Sequence, residues 1–165
     1  MEELKPFSDD PVEIRATYGY IPAAVVAVCA IVDDKPVGMA ASSFTCVSLD
    51  PPLVSVCIQT GSTTWPKLRS RPRLGLSVLG EHQHDECVGL SRKTGNRFAA
   101  IEWTAVSSGS VLIDGAGLWL ECSLYAEMPA GDHQIALLRI HSSLSEPGVE
   151  PIVFQTSKFR RLRAA

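Results

Sequence analysis

PVGMAASSFTCVSLDPPLVSVCIQTGSTT, residues 36–64, is the stretch on which the reading of the fold turns. Residues 37–47 and 53–59 are rich in strand formers and are separated by Asp50-Pro51-Pro52, so they read as a hairpin. Two runs of small, hydroxyl-bearing residues, Ala40-Ala41-Ser42-Ser43 and Gly61-Ser62-Thr63-Thr64, then fall at strand ends that the hairpin brings together. Small side chains let a flat ligand approach the backbone closely. The second run opens a predicted short helix over 65–71, and hydroxyls beside helix-N-terminal N–H groups suit an anion. Those residues serve equally well as ordinary helix caps, and the two uses are compatible. A ring at one run and a phosphate at the other would hold a nucleotide-like cofactor without a Rossmann loop.

Outward from this stretch, the pattern predicts mostly strands. Asp9-Asp10-Pro11 starts a short helix that ends at Gly19, placed as a lid over one barrel end. Residues 23–32 are apolar without alternation, as in a strand buried on both faces. Residues 74–79 alternate as a strand. A helix is expected over 81–91, with His84, Cys87, Val88 and Ser91 near one face. Residues 111–113 are a short strand. The clearest period-two run is 117–128, with Leu118, Leu120, Cys122, Leu124, Ala126 and Met128 on one side and Trp119, Glu121, Ser123, Tyr125 and Glu127 on the other. A turn at 129–132 returns the chain through a partner strand over 134–142, and 151–154 is a last strand. Many strands with short turns and two or three peripheral short helices point to a mostly β fold: a closed antiparallel (split) barrel, Greek-key-like.

At 165 residues the chain reads as one domain, 1–165, large enough for a proper core. It is 45% hydrophobic and 20% charged with net charge −3, which excludes a disordered chain and gives no electrostatic case for nucleic acid. Lys158, Arg160, Arg161 and Arg163 read as a solvated basic tail. The five cysteines, Cys29, Cys46, Cys57, Cys87 and Cys122, form no C-x-x-C pair, and most sit in apolar runs. A reducing cytoplasm follows, with no disulfide framework. The start, Met1-Glu2-Glu3-Leu4-Lys5, is no signal peptide, and the longest apolar run, 21–32, is too short to span a bilayer as a helix. His82 and His84 lie two apart on a predicted helix and point to nearly opposite faces, so no metal site is expected. G-x-G-x-x-G, the P-loop and G-x-S-x-G are absent.

Five segments, in the same order, resemble the flavin reductase-like family, the FMN-binding split-barrel reductase components of two-component flavin monooxygenases. They are Gly38-Met39-Ala40-Ala41-Ser42-Ser43-Phe44-Thr45, Val47 through the Asp50-Pro51-Pro52 turn to Val54, Leu76-Ser77-Val78-Leu79, Arg97-Phe98-Ala99-Ala100-Ile101-Glu102-Trp103, and Gly131-Asp132-His133. The resemblance implies an NAD(P)H-dependent flavin reductase that binds FMN or FAD, takes NADH or NADPH as co-substrate, pairs as a homodimer and supplies a partner monooxygenase. Two alternatives remain open at this point: a flavoprotein with a fixed FMN as electron carrier, and a non-enzymatic flavin-binding protein.

The resemblance also implies roles. Ala40, Ala41, Ser42 and Ser43 would line the flavin ring, and Ser62, Thr63 and Thr64 would hold its phosphate. Gln59, Ser77, Leu79 and Gly80 would meet the ring and ribityl chain, and Arg97, preceding Phe98, would pair with the phosphate. His133 would position the nicotinamide. Taken alone, Arg97 is a solvated loop charge and His133 a turn histidine. Exposed Trp119 and Tyr125 would suit a subunit contact, or are simply scattered surface aromatics. The chain departs from the family at Ala40, often Thr, at Ala100 and Leu138, both usually Gly, and over 155–158, where an Arg-Gly pair is usual.

Overall fold

The computed structural model describes residues 3–163. Met1 and Glu2, on which the expected lack of a signal peptide partly rests, lie outside it with Ala164 and Ala165. In chain order the elements are α1 (Pro11–Tyr18), β1 (Ala23–Ala24), β2 (Val26–Val32), β3 (Lys35–Ala41), β4 (Thr45–Leu49) and β5 (Pro52–Gln59). There follow α2 (Trp65–Leu68), β6 (Leu74–Val78), α3 (His84–Ser91), β7 (Trp103–Ala105) and β8 (Val111–Ile113). The chain closes with β9 (Leu118–Ala130), β10 (His133–Ser145), β11 (Val153–Gln155) and β12 (Lys158–Arg160).

A seven-stranded antiparallel sheet in the order β3-β2-β6-β9-β10-β5-β4 carries the fold, beside a three-stranded sheet, β1-β11-β12, and the pair β7-β8. The single strand expected over 37–47 is broken at Ser42-Ser43-Phe44, and its halves, β3 and β4, occupy opposite ends of the sheet order. Three extended residues reach only about 10 Å. The sheet therefore curls until its two edges approach each other there. The edges do not pair, so the expected closed barrel is not formed as a continuous ladder. Ser43 stands in for the missing rung: its hydroxyl accepts from Cys57 N–H at 2.8 Å and donates to Cys57 C=O at 3.1 Å, tying the seam to β5.

Packing fills both faces. Val26, Val28, Val54, Val56, Leu74, Leu76, Leu120 and Leu138 lie in one core cluster, while Ala27, Cys29, Leu79, Cys87, Leu90, Val111 and Ile113 lie in a second. Alternate residues of β2 enter each, as an apolar run without polar alternation predicts. On β9, Leu120 and Cys122 are buried as the alternation requires. Trp119, however, is half-buried rather than exposed: it packs against the second cluster, and its Nε1–H donates to Ile113 C=O at 2.7 Å. The register skips Tyr125 between the pairs Leu124↔Leu138 and Ala126↔Leu137, and this bulge leaves Tyr125 exposed.

The helices are slighter than expected. Asp10 caps α1 by accepting from Val12 N–H at 2.8 Å, but α1 buries none of its residues and forms no lid. α2 is a single turn, and α3 buries Cys87, Gly89 and Leu90 while His84 and Val88 stay exposed. β12 escaped the reading because its turn, Thr156-Ser157, takes positive φ (49° and 59°) without glycine or asparagine. Among the described residues no helix is long and apolar enough to cross a membrane, and no group of three or more His, Cys, Asp or Glu could hold a metal ion.

Candidate functional site

A cleft of about 580 Å³ opens at the seam of the sheet. That is a size typical of small-molecule sites. One wall is the end of β3 and the break after it: Met39, Ala40, Ala41, Ser42 and Ser43. The floor is the end of β5, Cys57, Ile58 and Gln59. Gly61, Ser62, Thr63 and Thr64 close one end together with Lys93 and Arg97, and His133 stands at the rim. Leu90 and Ser91 of α3 complete the wall.

The first wall works by its lack of bulk. From Ala40 to Ser43 its side chains are small, and the Ser43 hydroxyl is already committed to Cys57. The opposite end works by charge. Arg97 Nη1 donates to Gly38 C=O at 2.8 Å and to Thr64 Oγ1 at 2.9 Å, which fixes the guanidinium beside the hydroxyl run. Ser62 Oγ accepts from Trp65 N–H at 3.1 Å, so its own proton is free to donate elsewhere. No acidic side chain lines the cleft. Because α2 is only one turn, what this end offers an anion is hydroxyls and cations rather than a helix terminus.

His133 begins β10 and pairs with Gln59 of β5, which sets it at the mouth. Its Nδ1 meets Asp132 Oδ1 at 2.6 Å, and the hydrogen bond from His133 holds the Asp132 carboxyl below the usual range. Thr60 N–H donates to Asp132 C=O at 3.0 Å, so the hairpin tip is anchored to the strand that floors the cleft. Lower down, Glu127 of β9 accepts from Trp65 Nε1 at 2.5 Å and pairs with Arg69, which braces α2 against the long hairpin.

Ten residues expected at a site thus meet in one cleft: Ala40, Ala41, Ser42, Ser43, Gln59, Ser62, Thr63, Thr64, Arg97 and His133. Four do not line it. Ser77 is fully buried and its hydroxyl accepts from Ile113 N–H at 2.9 Å, so it is spent on joining β6 to β8. Leu79 lies in the second core cluster. Gly80 donates its N–H to Gln83 Oε1 at 2.9 Å, and a Cβ there would sit 2.7 Å from Val149. Phe98 is buried in the second core against Trp103 and lines a neighbouring pocket instead. Reading the sequence missed Met39, Cys57, Ile58, Leu90, Ser91 and Lys93. Of these, Lys93 had a legible signal, as a second cation in the polar loop that contains Arg97. Burial pushes the Cys29 and Cys87 thiols up to about 12, so neither supplies a thiolate behind these walls.

Small residues along one wall and hydroxyls with two cations at the far end fit a flat heterocycle joined to a phosphate. Residues 18–163 match the flavin reductase like domain. The chain belongs to the flavin reductase-like family. It is 37% identical over 129 residues to a flavin reductase of Pseudomonas putida, covering 78% of this chain and 76% of that protein. It is 31% identical over 142 residues to HsaB, the reductase subunit of a flavin-dependent monooxygenase from Mycobacterium tuberculosis, covering 86% and 76%. A solved structure of the Streptomyces globisporus NADH:FAD oxidoreductase SgcE6, with NAD and FAD fragments, matches with a TM-score of 0.90 at 32% identity, over 99% and 98% of the two chains. Two other relatives are longer, and this chain spans 57% and 42% of their lengths.

Set on a flavin reductase-like scaffold, the departures separate by place. Leu138 is fully buried in the first core cluster and Ala100 is exposed, and neither lines the cleft. Ala40 does line it, where it brings no hydroxyl. Residues 155–158 span the turn between β11 and β12, whose Phe154 and Phe159 line a small pocket of about 120 Å³ that shares Ala40, Ala41 and Ser42 with the cleft.

Proposed function

We propose that this chain is an NAD(P)H-dependent flavin reductase that reduces FMN or FAD and supplies the reduced flavin to a separate flavin-dependent monooxygenase. The observation that carries the reading is the two-ended cleft at the seam: small neutral residues at one end, Lys93, Arg97 and three hydroxyls at the other. We further read residues 1–165 as a single cytoplasmic domain that works as a homodimer.

Flavin accepts hydride at N5 from the nicotinamide C4, and this transfer asks the protein for alignment more than for acid–base work. Ala40, Ala41 and Ser42 let the ring lie against the β3 backbone. Gln59, at the end of β5, offers a side-chain amide to the ring edge. Ser62, Thr63 and Thr64 donate hydroxyl hydrogens to the phosphate, and Arg97 neutralises it. His133, steered by Asp132, stands at the mouth and positions the nicotinamide. The cleft lies at a seam with no ladder across it, which favours exchange of flavin with solution.

NADH and NADPH oxidation by the purified protein, with and without added FMN or FAD, tests the proposal. Turnover that depends on added flavin supports it. Turnover sustained by flavin that stays bound through purification would instead mark a fixed carrier. Flavin binding without turnover would mark a binding protein and overturn the enzymatic reading.

A further inference from the structure

Behind the anion end of the cleft, a single carboxylate holds the segment that furnishes it. Glu127 of β9 does not line the cleft, and only 12% of its side chain is exposed. Both its oxygens are taken by α2: Oε1 accepts from Trp65 Nε1–H at 2.5 Å and Oε2 pairs with Arg69. We propose that Glu127 is a positioning residue, which from outside the cleft sets Ser62, Thr64 and, through Thr64, Arg97 where they meet the phosphate of a flavin. This rests on reading the cleft as a flavin site.

The turn cannot set itself. α2 has four residues and no side-chain cap, too short to be stable alone. Burial of Trp65 and Leu68 fixes its depth but not its orientation, because apolar contact is non-directional. The bonds to Glu127 are directional. Trp65 and Arg69 lie four apart on one face of the turn, and Arg69 N–H donates to Trp65 C=O at 2.8 Å, so one carboxylate on β9 grips both ends. From Trp65 the order passes to the cleft in two steps. Its N–H donates to Ser62 Oγ at 3.1 Å, and the preceding Thr64 accepts from Arg97 Nη1 at 2.9 Å. Trp65 is only 2% exposed, and a buried N–H deprived of its acceptor is disfavoured, so without Glu127 the ring shifts and carries Thr64 with it. Charge alone argues the other way. A carboxylate behind an anion site repels the anion, so on electrostatics its removal would tighten phosphate binding.

Equilibrium titration of riboflavin and FMN on the full chain, read by flavin fluorescence, tests this with three variants. Glu127→Leu removes both bonds and should raise the FMN Kd about fivefold while moving the riboflavin Kd by less than about twofold. Glu127→Gln keeps an acceptor for Trp65 and should hold the FMN Kd within about twofold of the parent. Trp65→Phe removes the same bond from the other side, keeps an aromatic ring in the core, and should match Glu127→Leu; it carries the test if Glu127→Leu fails to fold. Equal losses for riboflavin and FMN, or loss of folding in both variants, would reduce Glu127 to a structural brace and overturn the assignment. Tighter or unchanged FMN binding in Glu127→Leu would overturn it too, as would a Glu127→Gln variant as weak as Glu127→Leu. Failure of the parent to bind either flavin would be a different result, removing the flavin reading of the cleft itself.

Discussion

The two ends of the cleft solve recognition in opposite ways. At the β3 end the run from Ala40 to Ser43 has small side chains, and the Ser43 hydroxyl is used up inside the protein on Cys57. That end selects a ligand chiefly by shape, through what it leaves empty, and Ser42 and Gln59 are the uncharged polar side chains it offers. At the far end Arg97 is anchored by two acceptors and Lys93 stands beside it, so selection there is by charge. Shape selection is insensitive to ionic strength, whereas exposed charge pairs weaken as the Debye length shrinks to about 3 Å in 1 M salt. The lesson is that affinity and orientation are separable in this cleft and each can be broken alone.

The largest effect is expected from filling the shape end. Ser42 lines the cleft and is exposed, so Ser42→Trp should leave the melting temperature nearly unchanged. It should raise the Kd of riboflavin and FMN alike by about a hundredfold, ~2.7 kcal/mol, in low and high salt. An effect confined to FMN would show that the ring lies elsewhere. At the charge end, Arg97→Met should weaken FMN by about tenfold, ~1.4 kcal/mol, and spare riboflavin. Arg97→Lys should recover part of the loss, and calorimetry would show whether the bonds to Gly38 and Thr64 had been needed for stability instead. Ser62→Asp puts a carboxylate against the phosphate and should cost FMN about fivefold, an effect that fades with salt. Unchanged FMN binding by that variant would remove the phosphate from this run.

How much of this contrast was legible in the residues depends on which physics wrote them. The hairpin turn at Asp50-Pro51-Pro52, the two-faced burial of β2 and the alternation along β9 as far as Leu124 are local patterns, and the structure keeps them. Both hydroxyl runs could be found for the same reason, since composition and turn chemistry marked them. The break at Ser42-Ser43-Phe44 could not, because β propensity runs straight through 37–47 and only the curling of the whole sheet separates β3 from β4. Ser77, Leu79 and Gly80 do not line the cleft for a related reason. Strand-end position says nothing about which face a side chain joins, and here packing against β8 and Val149 claims them. Trp119 went the same way, since alternation assigns a face but not what covers it. Lys93 was visible but unweighted.

The smallest effect belongs to the hairpin tip, which serves neither end directly. Asp132 is exposed, and its carboxyl titrates below the usual range because His133 donates to it. A depressed folded value means that the pair's contribution is present above the ordinary carboxylate pKa and disappears as pH falls through the lowered one. Asp132→Asn should therefore raise the KM for NADH about twofold near neutral pH with kcat and flavin Kd unchanged, and the difference from the parent should vanish in acid. A change in flavin Kd would move His133 from the nicotinamide side to the flavin side.

The measurement that tests the account most directly is the ratio of riboflavin to FMN Kd, determined across a range of salt concentrations for the parent and Arg97→Met. A ring held by shape and a phosphate held by charge predict that FMN binds tighter at low salt, that the gap closes as salt rises, and that Arg97→Met shows almost no gap at any salt. A ratio near one at all salt concentrations, or a gap that survives in Arg97→Met, would contradict the placing of flavin in this cleft with its phosphate at the Arg97 end.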